Sequence, residues 1–412
     1  MNRQRKIFYG WWVVIALFVV GMLAPMSRYC MTAFFPFISY ELGWSRSLIG
    51  SAQSLTFWIY AIFVLLSGWM TDRIGGRKTI FLGGLLCFGG WILLSTVRSL
   101  WQLYLYYGFI MAVAVSMTHF VPIQATARKW FRKRAGLVAG TTTAAFAVGS
   151  AIFIPLLTEM SGSFGWRTTS IISAFTFGIA IMLLALFVIR DTPESIGLLP
   201  DGEASAPATN GGTVAEEAWT VKEAIKTPQL WLLFVAYGMM GVPFQGLLAH
   251  LVMWGVDLGY TMAAAGIFIT AVTMPSIVTR IGGGWLGDRY GKRRIMIIGY
   301  LFCLLLMLWA WRGVSTAQHL MIFAVVIGMG ESLPAGLFTP YLGDLFGRAN
   351  IGSLFGILTL GYGFIGGCGA IIWGMIFDKT GSYSLACLVS VVCYAVAVIA
   401  ISLIRPTKRR LA

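Results

Sequence analysis

Twelve apolar stretches, each about long enough to cross a bilayer, limit what this chain can become. They fall at roughly 10–38, 47–69, 79–97, 102–127, 135–160, 167–189, 229–256, 261–284, 295–313, 317–343, 351–377 and 383–404. A spanning helix takes about 20 apolar residues, because inside hydrocarbon every backbone N–H and C=O must be satisfied within the segment. The pattern predicts an all-α membrane protein with twelve transmembrane helices. Composition agrees: 58% of the residues are hydrophobic and 11% charged, against about 25% charged in a typical soluble chain. A cytosolic globular protein, a disordered chain and a disulfide scaffold are excluded. The cysteines, Cys30, Cys87, Cys303, Cys368, Cys387 and Cys393, all lie in apolar runs. Buried small hydrophobes are expected there, rather than disulfides or a metal site.

The charge is +15, which in a soluble protein would suggest nucleic acid. Its distribution says otherwise. Of the 30 Lys and Arg residues, 23 sit in the termini and in alternate loops that would share one side. The opposite loops hold Arg46, Arg98, Arg167, Arg312 and Lys379, while Arg28 and Arg280 fall inside spans. This bias predicts that both termini are cytoplasmic and that the basic side meets anionic lipid headgroups; no nucleic-acid partner is expected. The basic, then apolar start MNRQRKIFYGWW reads as the first span, since the apolar run is too long for a cleaved leader.

The segment 190–227 differs from everything around it. It carries Asp191, Glu194, Asp201, Glu203, Glu216, Glu217 and Glu223 with the run ASAPATNGG. It reads as a hydrophilic cytoplasmic linker between a six-helix bundle at 1–189 and a second at 228–412. An internal repeat supports two related halves. Gly68-Trp-Met-Thr-Asp72-Arg73-Ile-Gly75-Gly-Arg77-Lys78 returns in the second half as Gly284-Trp-Leu-Gly-Asp288-Arg289-Tyr-Gly291-Lys-Arg293-Arg294. The same constant shift aligns Glu41-Leu-Gly-Trp-Ser45 with Asp257-Leu-Gly-Tyr-Thr261, and Gly136, Gly140 and Gly165 with Gly352, Gly356 and Gly381. Duplicated bundles of this kind mark transporters with a central site where the repeats meet.

The doubled G-x-x-x-D-R-x-G-x-R-[RK] loop resembles the hallmark of the major facilitator superfamily, and the likeness covers nearly the whole chain. A narrower resemblance is to monocarboxylate transporters and oxalate:formate exchangers. It rests on Trp130-Phe-Arg-Lys-Arg134-Ala-Gly136-Leu-Val-Ala-Gly140 at the fifth span and Tyr9-Gly-Trp-Trp12 at the first. It rests also on Arg280, four residues before the second loop motif, which matches the substrate-binding arginine of both groups. The resemblance implies two pseudo-symmetric six-helix bundles, a cavity lined by spans one, four, seven and ten, and transport of small organic anions. Two departures narrow it. Animal monocarboxylate transporters carry an Asp four residues before that arginine, where this chain has Ser276. Oxalate exchangers carry a Lys in the eleventh span, and Ile357-Leu-Thr-Leu-Gly-Tyr362 offers none.

An ionisable group deep in a bilayer is costly, about 2.5–3.5 kcal/mol for Arg on insertion scales, and needs a partner or a wet cavity. Far from the span ends stand Arg28, His119, His250, Arg280 and Glu331. Arg280 is the expected carboxylate anchor, since a guanidinium forks two donors onto two oxygens; a structural pair with Glu331 is the competing reading. Arg28, after Pro25, either binds a second anionic group or neutralises Glu331. Glu331, His119 and His250 are the proton-coupling candidates, and His119 is also a donor to substrate. Gln245, Ser276 and Tyr29 are neutral contacts, and Phe244 and Tyr362 wall the pocket. Asp72, Arg73, Arg77, Asp288, Arg289 and Arg293 are expected to form gating charge networks that break when the carrier turns inward.

The chain has no ATP-binding loop, no nucleophile-elbow motif and no zinc-protease motif, so it is expected not to be an enzyme and to need no cofactor or metal. The expectation is a monomeric secondary transporter of the bacterial inner membrane. It would carry a lactate-like monocarboxylate with a proton by alternating access. Anion exchange, di- or tricarboxylate symport, and a non-transporting receptor or sensor are the alternatives.

Overall fold

The computed structural model describes residues 8–131, 135–202, 219–347 and 351–405. Among them, twelve helices are long and apolar enough to cross a membrane. Spans 1 to 6 are Tyr9–Leu42, Arg46–Ile74, Gly76–Ser95, Leu100–Trp130, Gly140–Phe164 and Trp166–Val188. Spans 7 to 12 are Pro228–Asp257, Ala264–Tyr290, Lys292–Gly313, Ala317–Phe346, Ser353–Thr380 and Ser384–Leu403. No strand occurs among the described residues. With an even number of crossings both chain ends lie on one side, the terminal face; the other is the far face. The middle of the linker (203–218) and Arg132–Arg134 of the fifth-span motif lie outside the described residues.

Several spans run longer than their apolar cores, because polar residues continue the helix past the hydrocarbon. Three of them are broken near mid-membrane. Span 1 stops at Leu23 and restarts at Met26; Pro25 cannot donate the hydrogen bond that would join the pieces. Span 4 breaks at His119, whose backbone is non-helical (φ −109°, ψ −129°). Span 10 breaks after Pro334 and resumes at Phe338. Broken spans expose backbone and turn side chains inward, and are tolerated where they line a cavity.

The repeat is visible in the turns. Gly75 and its counterpart Gly291 link spans 2–3 and 8–9 with φ of +93° and +92°, a region L side chains rarely enter. The bundles are in close contact from the far face to mid-membrane. A Cβ on Gly50 of span 2 would lie 2.5 Å from the Ala370 carbonyl of span 11, and one on Gly374 would lie 2.6 Å from the Arg46 carbonyl. Among the described residues, hydrogen bonds between the bundles run from the far face down to mid-membrane, where the Trp58 indole donates to the Phe364 carbonyl at 3.1 Å. No hydrogen bond or ion pair joins the terminal ends of the two bundles among the described residues.

Candidate functional site

The arginines predicted inside the membrane sit there without counter-ions among the described residues. Arg28 is 7% exposed, carried inward by the break at Pro25. Its guanidinium lies over the rings of Tyr60 (4.4 Å), Phe57 (4.6 Å) and Tyr29 (4.9 Å) and donates to the Tyr29 hydroxyl at 3.3 Å. Three aromatic faces can stabilise a desolvated cation without neutralising it. The Arg28 carbonyl accepts from Tyr107, so the backbone at the break is held. Its Nε, though buried, has no partner.

Arg280, half-buried in span 8, packs its stem over Gly336 at the span 10 break. It forms no ion pair or hydrogen bond among the described residues, and its buried Nε is likewise unpartnered. Its electrostatic neighbours are the phenols of Tyr237 and Tyr362, and Tyr362 also lies within reach of Arg28. Tyr362 is therefore an electrostatic neighbour of both cations. It is held there by Gln245, whose amide nitrogen donates to the phenol at 2.8 Å, and by the Tyr237 ring at 4.9 Å. The repeat shapes this wall: Tyr29 and Phe146 of the first bundle, rings 5.1 Å apart, occupy the positions of Gln245 and Tyr362 in the second.

Further buried polar atoms lack partners: Gln245 Oε1 beside Tyr362, His119 Nδ1, and, one helical turn from Arg28 and from Phe57, Thr32 Oγ1 and both amide atoms of Gln53. His119, at the span 4 break, is within electrostatic reach of Arg28. Unmet polar groups inside a protein cost roughly 1–3 kcal/mol each, so their concentration here points to a ligand or water that fills them.

Not every expected residue joins the group. Glu331 is 4% exposed and pairs with neither arginine. Its carboxylate accepts from Tyr394 of span 12, beside Tyr300 and Cys303, within the second bundle. The competing reading of Arg280, a pair with Glu331, and the alternative for Arg28, neutralising Glu331, are thus not what the structure has, because span 10 turns that side chain toward spans 9 and 12. His250 is fully buried near the far face, with Nε2 on the Ala370 carbonyl at 2.9 Å and Nδ1 on the Tyr383 hydroxyl at 3.2 Å. Ser276 spends its hydroxyl on the Thr273 carbonyl of its own helix at 2.6 Å. Phe244 packs into the hydrophobic core and contacts neither guanidinium.

Among the described residues the motif arginines make no ion pairs in this state, and the charge network that the second motif does form runs through Lys292, which meets Asp344 of span 10 at 2.7 Å as well as Asp288. Asp72 and Arg73 are exposed, without ion pairs among the described residues. Arg77 instead donates to the carbonyls of Ala185 (3.0 Å) and Leu186 (2.6 Å) at the end of span 6. Arg293, its repeat counterpart, donates to Ile401 and Ser402 at the end of span 12, the matching place in the second bundle. Asp191 accepts from the Arg77 backbone N–H at 2.8 Å. Arg289 lies over Trp285 and Tyr290, both at 5.5 Å, and Asp288 faces Lys292 at 3.8 Å.

The reading from sequence missed Gln53, Phe57, Tyr60 and Tyr237, while Thr32 was placed beside Arg28 without a role. Gln53 alone offered a signal, an amide inside an apolar run. It also missed a far-face cluster in which Arg46 pairs with Asp257 through two bonds (2.7 and 2.6 Å) and donates to Tyr383. Charges at span ends cost little, so nothing in composition marked them.

Comparison with known proteins agrees with this architecture. The chain is 26% identical to the oxalate:formate antiporter of Oxalobacter formigenes, covering 97% of this chain and 93% of that protein. It is 23% identical to monocarboxylate transporter 12 of Xenopus laevis, over 93% and 85%. Among solved structures it resembles a bacterial homologue of the human lysosomal transporter Spinster in an inward-facing, unoccupied conformation, with TM-score 0.77 and 16% identity over 96% of both chains. A nucleoside transporter superposes with TM-score 0.73 and 13% identity, covering 96% of this chain and 99% of that one. The sequence profile of the Major Facilitator Superfamily matches residues 17–283 and 251–412. With the fold and the profile in agreement, the chain belongs to the major facilitator superfamily of multi-pass membrane transporters and is not an enzyme.

Proposed function

We propose that this transporter moves a small organic anion across the bacterial inner membrane by alternating access, its terminal face cytoplasmic. A lactate-like monocarboxylate carried with a proton is the leading substrate. The observation that supports the reading is the pair of intramembrane guanidiniums, Arg28 buried and Arg280 half-buried, that share Tyr362 as an electrostatic neighbour and meet no carboxylate among the described residues. Uncompensated cations in a low-dielectric site favour an anion strongly, and the relatives named for oxalate, formate and monocarboxylates handle small anions. In this scheme Arg280 forks the carboxylate. Arg28, in its aromatic cage, adds potential or takes a second anionic group. His119, beside Arg28, or Glu331 binds the proton that offsets charge during closure, and Gln245, Tyr29 and Tyr362 position the guest. The bundles then rock about this site.

The two uncompensated cations also favour a second reading, transport of a dicarboxylate or exchange of two anions. Proteoliposomes separate the two. Under an imposed pH gradient, uptake of labelled lactate above the equilibrium level supports proton symport. Counterflow that is indifferent to the gradient favours exchange, and absence of uptake for every organic acid tried, with intact folded protein, defeats both.

A further inference from the structure

The far-face cluster has a chemistry that the central site does not use. Arg46, at the start of span 2 in the first bundle, is held by three parts of the second. Asp257, ending span 7, takes its guanidinium through two bonds. Asp378 of span 11 accepts from the backbone N–H groups of Arg46 and Ser47 at 3.0 and 2.8 Å. Tyr383, in the turn before span 12, accepts from Arg46. Direction along the chain is fixed by its last member. The Ala370 carbonyl can only accept, so His250 Nε2 carries the proton, Nδ1 is the acceptor, and Tyr383 donates to it. Arg46 thus donates to Tyr383, Tyr383 to His250, and His250 to span 11, whose carbonyl also abuts Gly50.

The geometry points to a proton-binding latch: protonation of His250 from the far side unlocks Arg46 and holds the carrier open to that side. The neutral imidazole fits the closed arrangement and the imidazolium does not. A proton on Nδ1 removes the acceptor of the Tyr383 hydroxyl, whose hydrogen must then turn away and leave the bond that orders the chain. The charge would also be buried without a bonded carboxylate, since the ring is fully covered. Its surroundings are the Phe35 ring of span 1 at 5.0 Å, Tyr383 and Ala370. Of the charged groups nearby, Asp257 is taken by Arg46 and Asp378 by the span 2 backbone, and Arg46 repels. Phe35 and Arg46 belong to the opposite bundle, so parting the bundles at the far face uncovers His250 to water, where an imidazolium is stable. The proton therefore binds the open state better than the closed one, and acid shifts the population toward open. A His250 that must be neutral to close cannot be the residue that carries the transported proton; it senses acidity at the far face.

The test needs no substrate, so its failure leaves the anion-transport reading untouched. Spin labels are placed at Tyr40→Cys and Lys379→Cys, exposed far-face positions on opposite bundles, in full-length protein carrying Cys368→Ser. Distances are measured by pulsed electron resonance at about pH 5 and pH 8, which brackets imidazole titration. The parent is expected to show a several-fold larger long-distance population in acid. His250→Gln, which cannot titrate, should lose that response, and Tyr383→Phe should raise the long-distance population at the alkaline pH. If His250→Gln does not give monodisperse protein, His250→Asn is held to the same criterion. A pH response that survives in the non-titrating variant, or a parent with none, overturns the latch.

Discussion

Glu41 and Asp257 stand at equivalent places in the two repeats, yet Glu41 is neutralised by Arg167 of its own bundle and Asp257 by Arg46 of the other. The difference traces to one position. Where the first bundle has Arg167, the second has Tyr383, a phenol that cannot supply a cation. Asp257 is left to take its charge partner from across the cleft, and a pair that is internal in one half becomes a bridge in the other. Exposure follows: the Arg46 side chain is 10% exposed and Arg167 32%. Arg167→Gln should therefore cost little, about 0–1 kcal/mol, with the far-face distance distribution unchanged. Arg46→Gln should widen that distribution. Equal effects of the two variants on the distribution would show that the bridge does not hold the bundles together.

Arg280→Lys keeps the charge and loses the planar fork. Charge-assisted bonds contribute about 1.5–3 kcal/mol each, so affinity for the transported anion should fall roughly 10- to 100-fold, read as a raised half-saturation constant for uptake. Unchanged uptake would remove the anchor assignment.

Tyr362→Phe takes away the hydroxyl that Gln245 meets at 2.8 Å while leaving the ring stacked on Tyr237. The Gln245 amide then loses that bond and is left orphaned in a fully buried position. Substrate affinity should drop several-fold with expression and fold retained; a variant that transports like the parent would place Tyr362 outside the site.

How much of this was legible in the sequence depends on the length scale of the signal. The spans were readable because each is a long apolar run under one solvent constraint, and the repeat because turn geometry demands glycine at matching places, as at Gly75 and Gly291. Arg28 and Arg280 were readable because a guanidinium in an apolar run is costly and so informative. Their surroundings were not. Nothing local said that Glu331 turns away toward Tyr394, since one helical step decides which neighbour a side chain meets. Tyr60, Phe57 and Tyr237 looked like ordinary core aromatics. The Arg46 bridge joins residues from opposite halves of the chain, and only the pairing of Glu41 with Asp257 under the repeat hinted at it.

Arg77 and Arg293 of the loop motifs act here as helix caps, and this can be tested separately from gating. Arg77 and Arg293 each bind carbonyls at the end of the last span of their bundle, where a cation also favours the helix dipole. Arg77→Ala and Arg293→Ala should each lower stability by about 1 kcal/mol, seen as a lowered melting midpoint in detergent. Asp72→Asn, at an exposed side chain without an ion pair among the described residues, should leave the midpoint unchanged. A destabilising Asp72→Asn with a silent Arg77→Ala would reverse the assignment.

Glu331→Gln distinguishes a proton carrier from a structural acid. The amide oxygen can still accept from Tyr394, so the variant should fold with nearly the parent's stability, whereas Glu331→Ala strands the buried Tyr394 hydroxyl at a cost of about 1–3 kcal/mol. If Glu331 binds the transported proton, the Gln variant retains counterflow at clamped pH and loses accumulation driven by a pH gradient. If accumulation is unaffected, Glu331 is a permanent hydrogen-bonding partner of Tyr394, and the proton site moves to His119, whose Nδ1 lacks a partner and whose ring lies near Arg28 in the central group.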